Sequence, residues 1–543
     1  MKKGLNLVLA AVMIAGSLTA FAACGGGNHS GEADASKESG DVVLSFLHAG
    51  TMQKSTPKVE KAVSEYCKEK LGFGVKFKQT SAYNCGSDYQ NWLITNQEID
   101  ILNVFGADPA SYIKNKSVRE MSSLLTERNA PYLSEEIKGR PESTVFGDDD
   151  KVYGISVFGK YGYQGYSYVV RKDVLEQCGL YSETASAGKY TDYQQITYSD
   201  LDKIFAAIQQ TMPTNSQGNT VYPCTAMQGQ NYSDGLTCYD RMGSEQYPMA
   251  VMMVDPVTGE YSGNVENYYA TDAYKEYVQW IGECNEKGYV HPDAETSSES
   301  ATDLYKSERF VGAMLQTSPE LEAQWEFDHG RELVMLPLST VYYYVTNPNQ
   351  GLMIPSKSKR PARAMQFIDL LYSDTYLINL IMFGVEGEEW KFVDKEHGYI
   401  TEQSPGSRTD NYVIGGFWGD YSMCYTYVKN DADIETIIAR QLKVDEKMQE
   451  FQEIAYTHTS PALGFIYKPD KSNTTTIRNI SANVMSQYYL TLACGGGSKG
   501  SDGTYTGAGS TYDDFIKALN KAKIGKIVED KQAQYNAWKA NKA

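Results

Sequence analysis

The feature that most constrains the fold of this chain is an alternation of short apolar runs with amphipathic stretches. Runs typical of strands occupy residues 41–50, 73–81 and 99–106, and stretches typical of helices occupy 56–72 and 89–98 between them. This order predicts parallel βαβ units with helices on both faces of one sheet. Ligands of such sheets bind beyond the carboxyl ends of the strands, so binding residues are expected there.

The alternation continues with longer helices, and the chain becomes mostly helical after Pro361. This is too much material for one sheet, so we expect an α/β protein of two lobes. Each lobe is expected to hold a mainly parallel sheet flanked by helices, with crossing segments between them. The expected first lobe comprises residues 41–157 and 311–354. The second comprises 158–310 and 355–543, including a helix-rich C-terminal extension from about residue 400.

The N-terminus has the pattern of a secretory signal peptide. Lys2 and Lys3 precede an apolar run, Leu5–Ala15, and small residues follow up to Cys24. A cysteine directly after two alanines resembles the bacterial lipobox, although Phe21 stands where leucine is usual. We therefore expect removal of residues 1–23, lipidation of Cys24 and a flexible tether over 24–40. The alternative is a secreted protein with a chance cysteine at its cleavage site.

The charge of the chain excludes some partners. Fifty Lys and Arg residues against 68 Asp and Glu residues give a formal net charge of −18. Loss of residues 1–23, which carry Lys2, Lys3 and no acids, would change it to −20. Such a balance argues against nucleic acid and against anionic membrane surfaces as partners. No later run approaches the roughly 18 apolar residues of a membrane span, so membrane attachment would depend on Cys24.

No catalytic or metal-binding pattern is present in the sequence. The eight remaining cysteines are scattered without a CxxC pair or zinc spacing, and we expect mostly free, buried thiols. The nucleophile motif GxSxG is absent, and no carboxylate spacing marks a glycosidase. The glycine-rich stretch 494–510 lacks the Gly-Lys-Ser/Thr of a phosphate-binding loop. We therefore expect a binding protein with no cofactor, no metal and no catalytic residue.

Six blocks of sequence, in order, carry a family resemblance. They occupy residues 152–180, 285–294, 351–374, 383–394, 460–470 and 521–538. Together they resemble the extracellular solute-binding lipoproteins of bacterial ABC importers, in the carbohydrate-associated group and in a branch with a characteristic C-terminal domain. The resemblance implies a periplasmic-binding-protein-like fold, a monomer, ABC permease subunits as partners and anchoring on the extracellular face of a Gram-positive cell membrane. Asp420 departs from the family, which commonly has asparagine there.

The residues expected to bind a sugar lie just past strand ends or in glycine-rich turns. Aromatic rings stack on sugar rings, and amides and carboxylates pair with hydroxyls; the chain has 42 tyrosines against 17 phenylalanines. The candidates are His48, Tyr83, Asn84, Asp88, Asn103 and Phe105 on the first lobe, Tyr161, Tyr163, Gln164 and Tyr166 at the first crossing, and Gln228, Asn231, Tyr232, Trp418, Asp420 and Tyr421 on the second lobe. The tyrosines could instead form a surface loop, and Trp418 could belong to the core.

The function expected from the resemblance is capture of an oligosaccharide or related sugar in the cleft between the lobes, and its delivery to a permease. Two other classes remain open at this point. The chain could be a surface lipoprotein that binds a peptide or another non-sugar solute, or a sensor or adhesin with the same fold. A hydrolase is the remaining alternative.

Overall fold

The computed structural model describes residues 42–542 with internal gaps. The gaps are 51, 81–84, 96–97, 106–108, 141–142, 147–150, 159–162, 165, 225, 227–237, 244–246, 297–303, 306, 317, 320–321, 324, 327–329, 340–341, 344–349, 408–410, 413–417, 431 and 497–506. Within the described part, no helix has both the length and the apolar composition that a membrane crossing requires.

Seventeen strands are described, and the first three alternate with helices as the sequence predicts. They are β1 (Val43–Ala49), β2 (Gly74–Thr80), β3 (Ile101–Phe105), β4 (Thr144–Phe146), β5 (Val152–Ile155), β6 (Tyr163–Gln164), β7 (Tyr166–Arg171), β8 (Cys238–Asp240), β9 (Ala250–Val254), β10 (Tyr261–Asn267), β11 (Gly312–Gln316), β12 (Leu333–Pro337), β13 (Tyr342–Tyr343), β14 (Gln350–Met353), β15 (Trp390–Asp394), β16 (Tyr399–Glu402) and β17 (Thr426–Tyr427).

The α-helices of the described residues range from four to 24 residues in length. They are α1 (Thr56–Leu71), α2 (Cys85–Ile94), α3 (Pro109–Lys114), α4 (Leu133–Glu136), α5 (Lys172–Gln177), α6 (Tyr198–Thr211), α7 (Asp272–Glu286), α8 (Pro361–Ser373), α9 (Thr375–Phe383), α10 (Ile434–Thr457), α11 (Lys471–Asn479), α12 (Ser486–Ala493), α13 (Gly507–Lys521) and α14 (Ile524–Lys542). A π-helical stretch, Ile480–Met485, joins α11 to α12.

The first lobe is built on a six-stranded sheet in the order β2-β1-β3-β14-β5-β4. The strands β1, β2 and β3 are parallel, as the sequence predicts. Strand β14 enters from much later in the chain and runs antiparallel to both β3 and β5. Side chains alternate along β1, so Phe46 packs in a core with α1 and α8 while Leu47 packs on the opposite face with α2 and α3.

The boundary between the lobes differs from the expected one. Residues 355–383, which the sequence places in the second lobe, contain α8 and α9, whose Phe367, Leu371 and Leu377 share a core with Phe46 of β1. Strands β11 and β12, assigned to the first lobe, pair with β7 in the second. The runs of apolar residues identify buried elements, but they carry no information about which sheet the elements join.

The second lobe is not mainly parallel in its described strands, contrary to expectation. Strand β7 lies between β11 and β12 and is antiparallel to both. A second sheet, β10-β9-β8, is also antiparallel. One core joins these sheets to the flanking helices; it includes Phe205 of α6, Ile281 of α7, Met335 of β12 and Phe515 of α13. Helices α11 to α14 therefore pack with the second lobe, whereas Tyr412 and Trp418, which were expected there, lie in the first-lobe core.

Helix α10 and a later segment connect the lobes in addition to the two expected crossings. Ile437, near the start of α10, packs with Tyr399 and Val428, and Phe451, near its end, packs in the second-lobe core. In the segment after α10, Phe465 and Tyr467 also lie in the second-lobe core. Between them, Ile466 packs with Leu47, Tyr89 and Tyr112 of the first lobe.

A buried lysine attaches the last helix to the second lobe. The side chain of Lys531 is 0% exposed, and its Nζ donates hydrogen bonds to the carbonyl oxygens of Arg241 (2.9 Å) and Ala250 (2.8 Å). The ammonium also lies 4.9 Å from the centroid of the Tyr467 ring. Burial raises the pKa of the nearby Asp240, and the charge of Lys531 opposes that rise. The cation therefore satisfies several groups that have no access to water.

We expect Lys531→Ala to destabilise the protein by about 3 kcal/mol or more, because it leaves Asp240 and two carbonyl groups buried without their cation. Urea unfolding followed by circular dichroism would measure the loss. Lys526→Ala is the matched control, since Lys526 is exposed on the same helix and its removal should change stability by less than about 0.5 kcal/mol. Equal effects of the two substitutions would contradict this role of Lys531.

Candidate ligand-binding site

The carboxyl ends of the parallel strands in the first lobe bring polar residues together. His48 of β1 lies opposite Gln79 of β2 in the parallel register, one residue before each strand ends. Both side chains point to the face that carries Phe46 and Phe77, because side chains alternate along a strand. After β1 the backbone turns at Gly50, which has a φ of 141°, a conformation that favours glycine.

His48 is a neutral imidazole enclosed by aromatic rings. Its ring centroid lies 5.3 Å from that of Phe46, 5.2 Å from that of Phe77 and 5.6 Å from that of Trp418. Burial lowers the pKa of His48 to about 4, although the contact with the Ala49 carbonyl opposes the shift. Nδ1 lies 3.0 Å from that carbonyl oxygen, so it carries the proton and donates, and Nε2 is left as an acceptor.

Trp418 lies in the first lobe and is fully buried, so the expectation of an exposed aromatic platform on the second lobe is wrong. Its ring contacts Phe46 edge-on at 5.4 Å and shares a core with residues of α8 and α9. The physical reason is that α8 and α9, which follow β14, pack in the first lobe, and Trp418 joins their core. The indole Nε1 of Trp418 is nevertheless buried without a hydrogen-bond partner.

Gln79 is a further candidate that the sequence analysis does not name. Its Nε2 and Oε1 are both enclosed and have no hydrogen-bond partner. The signal that the sequence offers for it is its position near the end of a parallel strand, which it shares with His48. The amide lies close to the turn after β1, since a Cβ placed on Gly50 would lie 3.6 Å from Gln79 Nε2 and 3.9 Å from His48 Nδ1.

Two other candidates on the first lobe have structural partners. The half-buried Asp88 accepts a short hydrogen bond from the hydroxyl of Thr80, at the end of β2. The buried Asn103 donates from Nδ2 to the carbonyl of Gly351 at 3.2 Å and so links β3 to β14. Asp88 lies on α2 and Asn103 in the middle of β3, not past a strand end as expected, and their described bonds join neighbouring elements of the first lobe.

Asp420 and Tyr421 also lie with the first lobe and not the second. Asp420 is buried, and its Oδ1 accepts from the backbone N of Ser422 at 2.9 Å and from the Ser422 hydroxyl at 2.7 Å, which caps a short 3₁₀ turn. The backbone N of Tyr421 donates to the carbonyl of Phe158 at 2.8 Å, where the first crossing begins. These residues therefore pin the crossing against the first lobe.

The remaining candidates lie outside the described residues or are described by their backbone alone. Tyr83, Asn84, Tyr161, Gln228, Asn231, Tyr232 and the proposed lipidation residue Cys24 lie outside the described residues. The backbones of Tyr163 and Gln164 form β6, which pairs with β13 at the crossing between the lobes. Tyr166 begins β7, and Phe105 ends β3. Their ligand contacts remain proposals.

A cluster of buried carboxylates in the second lobe is the other candidate for chemistry. Burial raises the pKa of Asp192 to about 6 and that of Glu322 well above its ordinary range. The hydroxyl of Tyr193 donates to Glu322 Oε2 at 2.5 Å, and Asp192 Oδ1 accepts from the backbone N of Met335 at 2.9 Å. These bonds hold β12 against the preceding loop, which is a structural role.

Neither a metal site nor a disulfide is present among the described residues. No group of three or more His, Cys, Asp or Glu side chains is arranged to hold an ion there. The free thiols are Cys67, Cys178, Cys224, Cys238, Cys284, Cys424 and Cys494. This agrees with the expectation of mostly free cysteines within the described part of the chain.

Comparison with solved structures identifies the architecture. The N-glycan transport solute-binding protein NgtS of Streptococcus pneumoniae, in complex with Man1GlcNAc, superposes with a TM-score of 0.67 over 92% of this chain and 99% of that one, at 16% identity. The S. pneumoniae ABC-transporter substrate-binding protein FusA, in complex with kestose, gives 0.62 over 92% and 100% at 14% identity. The fold is that of a two-lobed solute-binding protein.

Sequence comparison agrees over a shorter range. A carbohydrate ABC transporter substrate-binding protein of S. pneumoniae serotype 4 is 23% identical over 290 residues, which is 51% of this chain and 52% of the relative. The match thus spans about half the length of that curated relative. No family model matches the chain. The recognised resemblance to solute-binding proteins of ABC importers is confirmed by these similarities, and the solute-binding fold extends over almost all of the described residues.

The neutral state of His48 predicts a specific pH dependence. Because its folded-state pKa is about 4 and the ordinary value is 6.5, the unfolded chain binds a proton first as the pH falls. The stability that depends on neutral His48 is present above pH 6.5 and is lost between pH 6.5 and 4. Relative to His48→Phe, the wild type should therefore lose roughly 2 kcal/mol between pH 7.5 and 5.

Urea unfolding of both proteins at the two pH values would test this. The difference between wild type and variant is the required quantity, since the raised pKa of Asp192 changes the raw stability in the opposite direction over the same range. A difference that does not vary with pH would contradict the buried neutral imidazole.

Proposed function

We propose that this protein is the substrate-binding subunit of an ABC importer and that it captures an oligosaccharide or related sugar between its two lobes. The observation that carries the proposal is the neutral polar and aromatic cluster of His48, Gln79 and Trp418 at the carboxyl edge of the first-lobe sheet. This edge is where open α/β sheets bind ligands. The solute-binding fold, shared with relatives that carry sugars, supports the same assignment.

The chemistry of the edge suits a sugar better than an ion. The side chains of His48 and Gln79 at this edge are uncharged and offer hydrogen-bond donors and acceptors, which suit the hydroxyl groups of a sugar. Capture is proposed to occur without catalysis. Burial raises the pKa of Asp192, Glu322 and Asp369, and each of these carboxylates is engaged in hydrogen bonds that hold elements of the fold together.

Closure of the lobes on the ligand would then present the loaded protein to permease subunits. A ligand can shift the balance between open and closed forms only if it binds one of them more tightly, so it must contact both lobes in the closed form. We propose that the protein acts as a monomer, tethered through lipidated Cys24 on the outer face of the cell membrane. A tether of 24–40 would keep the receptor at a high local concentration near its permease.

A thermal-shift assay of the mature protein tests the proposed ligand class. Ligands that bind only the folded state stabilise it, by about 2.7 kcal/mol when their concentration is a hundredfold above Kd. We expect a rise in Tm with at least one member of a panel containing Man1GlcNAc, kestose and longer neutral oligosaccharides. Free monosaccharides and peptides of similar size serve as controls. A rise with the peptides alone would favour the alternative non-sugar solute.

Substitution of the proposed anchor tests the location. Cys24→Ala removes the thiol that would carry the lipid, so we expect the protein to leave the cell envelope and accumulate in the culture medium. Immunoblots of cell and medium fractions would measure the distribution, with Cys67→Ala as a control because Cys67 is a buried thiol of the mature domain. Retention of the Cys24→Ala protein on the cell would rule out lipid anchoring at this residue.

A further inference from the structure

Four enclosed polar atoms of the first lobe have no hydrogen-bond partner, and they belong to neighbouring side chains. They are Nε2 of His48, Nε2 and Oε1 of Gln79, and Nε1 of Trp418. Buried polar groups in folded proteins are normally paired, and each unpaired group costs about 1–3 kcal/mol. Such atoms on three adjacent side chains leave hydrogen-bonding capacity that a hydroxyl group of a ligand could satisfy.

The three side chains are contiguous. His48 and Gln79 are opposite each other on adjacent strands, and the rings of His48 and Trp418 lie 5.6 Å apart. Both His48 and Gln79 reach toward Gly50, where the backbone leaves β1 at the carboxyl edge of the sheet. The unpartnered atoms therefore share the edge at which ligands of this fold class bind.

The hydrogen-bonding pattern of this cluster specifies an uncharged partner. With its proton on Nδ1, His48 offers one acceptor, Trp418 offers one donor, and the Gln79 amide offers both. The neighbouring charges face elsewhere: Lys78 lies 4.4 Å from the Trp92 ring on the other face of the sheet, and Asp88 is bonded to Thr80. Hydroxyl groups both donate and accept, and so they match this set.

We propose that Gln79, together with His48 and Trp418, forms a subsite for a neutral hydroxyl-bearing part of the ligand, and that Gln79 determines specificity there. This inference rests on the proposed function. In the arrangement described, the atoms are enclosed, so the ligand enters when the surrounding structure moves. Gln79 is thus maintained for binding at the expense of the stability of the unliganded protein.

The substitution Gln79→Leu separates these two effects. Leucine is similar in size and removes both unpartnered amide atoms, so the unliganded variant should melt at or above the temperature of the wild type. Its affinity for Man1GlcNAc or kestose, measured by calorimetry, should fall at least tenfold. An acidic trisaccharide of uronate residues tests the charge preference, and we expect the wild type to bind it much more weakly than the neutral sugars.

Gln534→Leu is the matched control. The Gln534 amide is fully engaged, since Nε2 donates to the Lys468 carbonyl at 3.0 Å and Oε1 accepts from the Lys468 backbone N at 3.1 Å. Its loss should lower the melting temperature and leave sugar affinity unchanged. Gln79→Leu is thus expected to weaken binding without loss of stability, and Gln534→Leu to lower stability without loss of binding.

Each other outcome has a definite meaning. If Gln79→Leu binds the neutral sugars as tightly as the wild type, a trapped water satisfies the cluster and the inference is overturned while the proposed function stands. If the wild type prefers the uronate trisaccharide, the uncharged class is wrong. If the wild type binds no oligosaccharide of the panel, the proposed function itself fails.

Discussion

The insertion of β14 between β3 and β5 is the constraint on which the rest of the architecture depends. It places a strand from residue 350 at the centre of a sheet that otherwise begins near residue 43, and it is antiparallel to both neighbours. The chain must therefore leave the first lobe after β5, build most of the second lobe and return. Helices α8 and α9 follow the return and fill the core beneath β1, where Phe367 contacts Phe46. Phe158, next to β5, and Ile354, next to β14, are buried in this same core, which therefore fixes the start of both crossings.

The same packing buries unpaired polar atoms at the carboxyl edge of the sheet. Trp418, brought back by the returning chain, closes an aromatic enclosure around His48, and burial there keeps the imidazole neutral. An enclosure of rings favours stability, but the polar atoms of His48, Gln79 and Trp418 within it do not. Buried polar groups without hydrogen-bond partners, within a core that is otherwise well packed, are expected where a sequence is constrained by binding as well as by folding.

Sequence reasoning identified the element types and the N-terminal half of the first sheet, because periodicity and length distinguish strands from helices without knowledge of partners. It could not identify which sheet a strand joins. The runs that became β11 and β14 look alike, yet one lies in each lobe, since pairing depends on contacts far apart in sequence. Trp418 shows the same limit: its aromatic, glycine-flanked context suits an exposed loop, and only the return of the chain buries it. Gln79 lies in a polar run of β2, and nothing in that run distinguishes it from a solvent-exposed strand residue.

The connections between the lobes bear on how such a protein moves. Besides the two crossings next to β5 and β14, helix α10 has its two ends in different cores. The segment around Ile466 also contacts the first lobe, at a place where the chain does not cross between the lobes. Close by, Lys114 of α3 donates to the carbonyl of Pro469 at 3.1 Å. A change in the relative position of the lobes would alter the contact of Ile466 with the first lobe. The burial of this one side chain would then contribute to the free-energy difference between the two lobe positions. Burying such a side chain is worth about 1.5–3 kcal/mol, which is enough to change the ratio of two arrangements by about tenfold or more. The C-terminal extension therefore also contributes to the contact between the lobes, and the proposed closure on a ligand would act on that contact.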